Sequence, residues 1–257
     1  MAWTRTYDED EPQRVNRWLA QSGVCSRREA EGLIADGLVS IDGARVDDPG
    51  RKIARGQTLV LADRAEAALA GFTAVLNKPR GYVSGQPEPG RTPAVRLLTP
   101  GNRVGAGVAP DARASLPPLG RLDLDSRGLL ILSSDGVLAK AVIGPDSALD
   151  KEYVVRVSGL VTAPVVERLR FGLALDGRQL KRAGVEVIEP QVLRFTLHEG
   201  RNRQIRRMCE LVGLRVLDLN RVRIGPLKVG DLPEGRWRAL NAEERSALIA
   251  ASVRPPR

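Results

Sequence analysis

The stretch GRLDLDSRGLLILSSDG, Gly120–Gly136, sets two aspartates, Asp123 and Asp125, in a glycine-bounded turn. Arg121 precedes them and the apolar run Leu129–Leu132 follows. Four successive apolar residues between turn signals read as a buried strand. Asp135-Gly136 reads as the opening of a short helix over Val137–Ile143. The turn therefore puts carboxylates at the entrance of a buried strand, in a chain whose net charge is +9.

Downstream of this stretch, Glu152–Val157 alternates as a strand, and Thr162 is placed to cap a helix over Val165–Leu169. Val185–Ile188 and Leu193–Leu197 read as strands. Arg203–Val212 reads as a helix with Ile205, Met208, Cys209 and Val212 as its apolar stripe, ended by Gly213. Arg215–Ile224 is a further strand, and Asn241 caps a last helix. Upstream, Phe72–Leu76 is a strand followed by Asn77-Lys78-Pro79-Arg80-Gly81. Residues 85–118 are rich in Pro and Gly without periodicity, which predicts a functional or disordered loop. Its arginines, Arg91, Arg96, Arg103 and Arg113, suit contact with RNA as well as they suit a plain surface insertion. Strands outnumber helices and are joined partly by hairpin-like turns, which predicts an α+β domain with a mixed sheet.

The amino-terminal part has a pattern of its own. Val15, Trp18 and Leu19 recur at helical spacing, and Gly23 can stop that helix. Ser26-Arg27-Arg28-Glu29 is a capping box opening a second helix with Ala30, Leu33 and Ile34 on its buried side. Val39 and Ile41 alternate as a strand, Asp42-Gly43 turns it, and Gln57–Leu61 is another strand. Arg14 and Arg17 on the first helix, and Arg27 and Arg28 on the second, are placed to grip a phosphate backbone; a solvated basic face would look the same. The expected layout is a disordered acidic tail at 1–11, a small domain at 12–61 and a linker at 62–71. A larger domain at 72–250 and a tail at 251–257 complete it.

Composition narrows the function classes. Of 257 residues, 40 are Lys or Arg and only six of these are lysine; arginine forks onto phosphate, which suits a nucleic-acid partner. A single histidine, His198, disfavours histidine triads and multi-histidine metal sites. Cys25 and Cys209 are too few and too far apart for a disulfide framework or a zinc site. No run of 18 apolar residues occurs, and MAWTRTYDEDEP has no apolar signal region, so a cytoplasmic protein with no membrane association is expected.

Asp123 and Asp125 have three readings. As magnesium ligands they need a further acid, for which Asp135 is the candidate. As structural residues, Asp and Ser in this turn satisfy its amides; this reading suits Asp125. As a nucleophile, one carboxylate attacks a sugar carbon or an electrophilic ring and needs a fixed cation beside it. Arg203, Arg206 and Arg207, at i, i+3 and i+4 of one helix, are candidate cations, although their spacing fits a solvated basic face equally.

Four segments resemble the ordered motifs of pseudouridine synthases: NKPRG, GRLDLDSRGLLILSSDG, KEYVVRV and EGRNRQIRRMCE. RVNRWLAQSGVCSRREAEGLIADGLVSIDGARV resembles the small RNA-binding domain shared with ribosomal small-subunit protein four. Together they span about residues 13 to 245 and resemble the RsuA/RluB/RluE/RluF family of ribosomal RNA pseudouridine synthases, with wording most like the large-subunit RluF and RluB type. The resemblance implies a small α/β RNA-binding domain followed by a catalytic domain with a mixed, mainly antiparallel sheet flanked by helices. It implies isomerisation of a uridine in 23S rRNA, free or in an assembling large subunit, by base flipping and an aspartate-dependent break and remake of the glycosidic bond. Asp123 is then the nucleophile, Tyr153 stacks on the uracil, and Arg206 pairs with Asp123. Arg121 helps fill the place of the flipped base, and Lys78, Arg203 and Arg207 join the RNA-binding set. No cofactor, metal or obligate protein partner is implied, and a monomer is expected. Alternatives are the same reaction on 16S rRNA or tRNA, a non-catalytic ribosome-assembly factor, and a metal-dependent phosphatase or nuclease using both aspartates.

Overall fold

The computed structural model describes residues 3–65, 71–85, 89–106, 108–110 and 114–253. The chain divides into two compact units, residues 1–72 with 133–140, and residues 73–132 with 141–257.

In the first unit, strand β1 (Thr4–Thr6) leads to helices α1 (Val15–Gln21) and α2 (Arg27–Ala35). Strands β2 (Val39–Ile41), β3 (Ala44–Arg45) and β4 (Thr58–Leu61) follow. The sheet order is β1-β4-β2-β3. Gly23 stands at φ +77 just beyond α1. The capping box of α2 is formed: the Glu29 N–H donates to Ser26 Oγ at 3.2 Å, and the Ser26 N–H to Glu29 Oε2 at 2.6 Å. Asp42 and Gly43, both at positive φ, make the two-residue turn between β2 and β3. Val15, Trp18, Leu19, Ala30, Leu33 and Ile34 close over the sheet as one core.

The expected disordered tail at 1–11 is corrected over residues 3–11; residues 1–2 lie outside the described residues. β1 pairs antiparallel with β4, and Tyr7 is fully buried. Trp3 and Tyr7 stand edge-on to Trp18, with ring centroids 5.9 and 5.3 Å away. Two aromatic rings bury enough apolar surface to order a segment whose other residues are polar. Of the expected linker at 62–71, residues 66–70 lie outside the described residues, and Ala65 is buried in the core of the first unit.

The second unit is built on an eight-stranded sheet. Its strands are β5 (Thr73–Lys78), β6 (Arg127–Ser133), β7 (Lys151–Ser158), β8 (Gly184–Glu189), β9 (Val192–Leu197), β10 (Arg215–Ile224), β11 (Leu227–Lys228) and β12 (Trp237–Ala239). The order is β8-β9-β7-β10-β6-β5-β12, with β11 on β10. β6 and β10 run parallel, whereas β8·β9, β9·β7, β7·β10, β10·β11 and β5·β12 are antiparallel. The fold is α+β with a mixed, mainly antiparallel sheet.

Helices α3 (Gly136–Ile143), α4 (Ala163–Arg170), α5 (Gln204–Leu211) and α6 (Ala242–Ser252) complete the six helices among the described residues. α4 and α5 bury Val166, Leu169, Ile205, Met208 and Cys209 against Val155, Val157, Leu193 and Phe195 of the sheet. Thr162 stands at the N-cap of α4, but its hydroxyl makes no capping bond. Asn241 caps α6 with a complete capping box. α6 runs through Ser252, so the tail expected from 251 begins inside a helix.

The segment 85–118 is more ordered than its composition suggests. Thr92–Pro93 pairs with Tyr82–Val83, and 3-10 turns form at Ala94–Leu97 and Pro100–Asn102. The Trp237 ring N–H donates to the Thr99 carbonyl at 2.8 Å, pinning the second turn. Arg91 and Arg96 are exposed, and Arg113 lies outside the described residues. Among the described residues, no helix is long and apolar enough to cross a membrane.

Candidate active site

The Asp123 turn sits just before β6, within the second unit. Its backbone is fixed along its whole length, since each carbonyl from Arg121 to Ser126 accepts a hydrogen bond. The end of β5 and the segment after it take alternate carbonyls: Ser84 Oγ donates to Leu122 O at 2.8 Å, the Gly81 N–H to Leu124 O at 2.8 Å and Lys78 Nζ to Ser126 O at 2.8 Å. The Ser126 N–H closes onto Asp123 O at 3.1 Å. Arg206 Nη2 donates to Asp125 O at 3.0 Å, and Arg221 Nη1 to Arg121 O at 3.3 Å. A turn with all these acceptors engaged has little freedom left, so its two carboxylates are held before any ligand arrives.

Three of those donors are buried cations. Lys78 is 0% exposed, Arg221 2% and Arg206 8%. Burial pushes the Lys78 ammonium down to about 8, against the opposing pull of Asp123 and Asp125. Lys78, expected among the RNA-binding residues, is withdrawn from solvent with its amine on the carbonyls of Pro79 and Ser126, both at 2.8 Å.

Helix α5 does meet the turn, which its arginine spacing alone left open. Arg203, at the N-cap, adopts a left-handed backbone of φ 48 and ψ 33. That conformation costs a non-glycine residue about 1 kcal/mol or more and is retained where the surroundings impose it. Its guanidinium reaches both oxygens of Asp125 at 3.2 Å and stands 3.6 Å from Asp123 Oδ2. Arg206 does not take the expected partner. Its Nη2 lies 3.3 Å from Asp125 Oδ2 and 3.4 Å from Ser126 Oγ, so its ion pair is with Asp125, and the cation beside Asp123 is Arg203. Arg206 starts one turn further along the helix and enters beneath the turn backbone, where Asp125 is the carboxylate in reach. Arg207 departs altogether, pairing with Asp176 at 2.6 and 3.0 Å.

Asp125, expected to satisfy turn amides, stands here as the ion-pair partner of Arg203 and Arg206. Burial acts to raise its pKa; the Arg203 hydrogen bonds and the Arg206 charge outweigh that and hold the carboxyl below its ordinary value. Asp123 has the longer contact with Arg203, at 3.6 Å, and its side chain is 33% exposed. Asp135, the third acid of the metal reading, accepts from the Leu138 N–H at 2.9 Å as a helix opener. Among the described residues, no group of three or more His, Cys, Asp and Glu is placed to hold a metal ion.

Tyr153 is half-buried against the core on β7, opposite Arg221 of β10, where the β7·β10 register shifts between Glu152 and Tyr153. The Arg121 side chain is exposed. Both thiols are buried and pushed up to about 12 by that burial, so neither Cys25 nor Cys209 offers a thiolate. In the first unit, Arg14, Arg17, Arg27 and Arg28 are all exposed. Arg14 precedes α1 as its N-cap instead of lying within it. Sequence reasoning gave Arg221 no role; the signal available was a basic residue inside an otherwise strand-like run.

A model of the RNA pseudouridylate synthase family matches residues 73–211, and a model of the S4 domain matches residues 13–59. The dual-specificity RNA pseudouridine synthase RluF of Escherichia coli (strain K12) is 34% identical over 240 residues, covering 91% of this chain and 78% of that protein. Ribosomal large subunit pseudouridine synthase B of Bacillus subtilis (strain 168) is 31% identical over 249 residues, covering 93% and 96%. A crystal structure of a pseudouridylate synthase shares the fold, with a TM-score of 0.63 at 24% identity over 91% of this chain and 99% of that one. The synthase fold together with an S4 domain defines an RNA-modifying enzyme. The chain belongs to the RNA pseudouridylate synthase family and is an isomerase acting on RNA.

Proposed function

We propose that this enzyme converts a specific uridine of the 23S RNA of the large ribosomal subunit to pseudouridine. The observation that carries the target is the match, over more than nine tenths of this chain, to RluF and to the large-subunit synthase of Bacillus subtilis, which takes in the S4 part as well as the synthase part. Arg14, Arg17, Arg27 and Arg28 hold the RNA backbone, at a cost in affinity as salt rises. In this reading the enzyme works as a cytoplasmic monomer and uses its own side chains only.

The uridine leaves its stack at a cost of a few kcal/mol, least in a loop or bulge. Its base stacks on Tyr153, and Arg121 helps fill the vacated place. Asp123 acts on the nucleotide, at the ribose or the uracil ring, with the Arg203 guanidinium beside it and Arg206 fixing the turn that presents it. The bond from ring nitrogen 1 to the ribose breaks, the uracil turns, and ring carbon 5 bonds to the ribose. The proton of carbon 5 is lost and nitrogen 1 gains one, so atoms balance without an oxidant or a second substrate.

The test uses 23S rRNA carrying tritium at carbon 5 of uridine. Wild type is expected to release tritium and Asp123→Asn to release none. Release from 16S rRNA or tRNA in place of 23S rRNA would overturn the target.

A further inference from the structure

We propose that Arg221 is a positioning residue of this reaction, holding the Asp123 turn and the Tyr153 strand in one register so that both groups meet the same uracil. The inference rests on the reading that Asp123 and Tyr153 act on the uridine.

Arg221 is among the largest fully buried side chains, at 2% exposure. Among the described residues no carboxylate pairs with it, and its bonds are to two backbone carbonyls. Two positions along the same strand, the half-buried Arg223 pairs with Asp150 at 2.7 Å and Glu152 at 3.2 Å. A guanidinium kept in the interior without a counter-ion is costly, and among the described residues no protein group accepts from its Nη2. A residue serving stability alone has cheaper replacements at this position, so the cost points to another task.

The geometry names that task. Nε donates to Leu129 O at 2.8 Å and Nη1 to Arg121 O at 3.3 Å, carbonyls that bracket the Asp123 turn on either side. One planar fork thus spans the loop whose tip carries the carboxylate. In the sheet, Arg221 is paired across β6 with Gly128 and across β7 with Tyr153. The approach to β6 is close: a Cβ on Gly128, which sits at φ +106, would lie 2.3 Å from Arg221 O. Arg221 therefore has the strand of Tyr153 on one side and the strand entered from the Asp123 turn on the other. Its charge is felt beyond the turn too, since Lys151 on β7 is held below the ordinary lysine value by burial first and by Arg221 next.

Arg221→Lys keeps the charge but cannot span both carbonyls, and Arg221→Gln removes the charge as well. Single-turnover tritium release at saturating RNA, RNA affinity and thermal unfolding are measured for both, with Arg223→Gln as a variant of the same strand outside the fork. A displacement of about 1 Å at the reacting groups costs roughly 100-fold in rate. The expected result is a loss of about that size in both Arg221 variants at a temperature where they are folded, with RNA affinity within about threefold, while Arg223→Gln loses stability and keeps its rate. Turnover of Arg221→Lys close to wild type overturns the proposal, as does an equal loss in Arg223→Gln or failure of both Arg221 variants to fold. If Asp123→Asn retained turnover, the underlying assignment would fall and the role of Arg221 with it. An inactive Asp123→Asn beside a fully active Arg221→Lys would overturn the role of Arg221 alone.

Discussion

The two units put their cations to opposite work. In the first, Arg14, Arg17, Arg27 and Arg28 are exposed and open to a partner. In the second, Lys78, Arg206 and Arg221 are withdrawn from solvent and spend their donors on backbone carbonyls of the Asp123 turn. A high arginine count reads as affinity for phosphate, yet part of it here is internal scaffolding. Removing a cation from the first unit is expected to weaken binding, and removing one from the second to weaken chemistry.

The sharpest test of that division is Asp123→Asn, for which a loss of at least about 10³-fold in turnover is expected with RNA affinity within threefold. A filter-binding assay showing collapsed affinity would merge the two roles. Lys78→Met is next. It strands two carbonyls, each worth about 1–3 kcal/mol when left unsatisfied, and loosens the turn by enough to cost roughly 10- to 100-fold in rate. Weaker RNA binding by folded Lys78→Met would show that this lysine reaches the RNA after all.

Replacing Arg14, Arg17, Arg27 and Arg28 together by alanine should weaken RNA binding and flatten its salt dependence by about one unit of slope per lost phosphate contact. Turnover at saturating RNA should stay near wild type, and a changed rate there would break the comparison from the other side. Asp125→Asn should lower the melting temperature by about 2–4 °C, with turnover down less than tenfold. Because the Asp125 carboxyl is held below its ordinary value of 3.8, its stabilising contribution is full above 3.8 and is lost as the pH falls through the lower folded value. The gap in melting temperature between Asp125→Asn and wild type should therefore close in acid.

The smallest effect concerns Lys78, whose ordinary value of 10.5 drops to about 8 on folding. Below about 8 it is charged in both states and the folded protein bears the cost of burying it. Between about 8 and 10.5 the unfolded chain binds the extra proton, so this residue favours folding as the pH rises. Turnover should decline over the same window as the ammonium grip on the turn is lost. A rate that holds flat to pH 10 would show that the neutral amine grips equally well.

Local signals were legible in the sequence. Ser26 with Glu29, and Asp42 with Gly43, act within a few residues, and the structure places them as their spacing predicts. The stripe on α5 and the strand at Arg215–Ile224 were legible because burial repeats with the period of the element. What was hidden depends on distant partners. Trp3 and Tyr7 order a segment whose acidic run spoke for a tail, because Trp18 waits for them across the core. Lys78 looks like any surface lysine until Ser126 brings its carbonyl. The spacing of Arg203, Arg206 and Arg207 put three cations on one side of a helix, but which carboxylate each meets is set by how that helix lands on the turn.

The partners of the turn also carry a consequence for synthesis. Ser84, Lys78, Arg206 and Arg221 lie 38, 48, 81 and 100 residues along the chain from the carbonyls they hold. Contacts so far apart form late, after the costly closure of long loops. A nascent chain that stops short of Arg203 already contains every exposed arginine of α1 and α2 but lacks two of the three cations that fix the turn. Such a fragment is expected to occupy RNA without altering it, so the isomerase switches on only after Arg221 has been made.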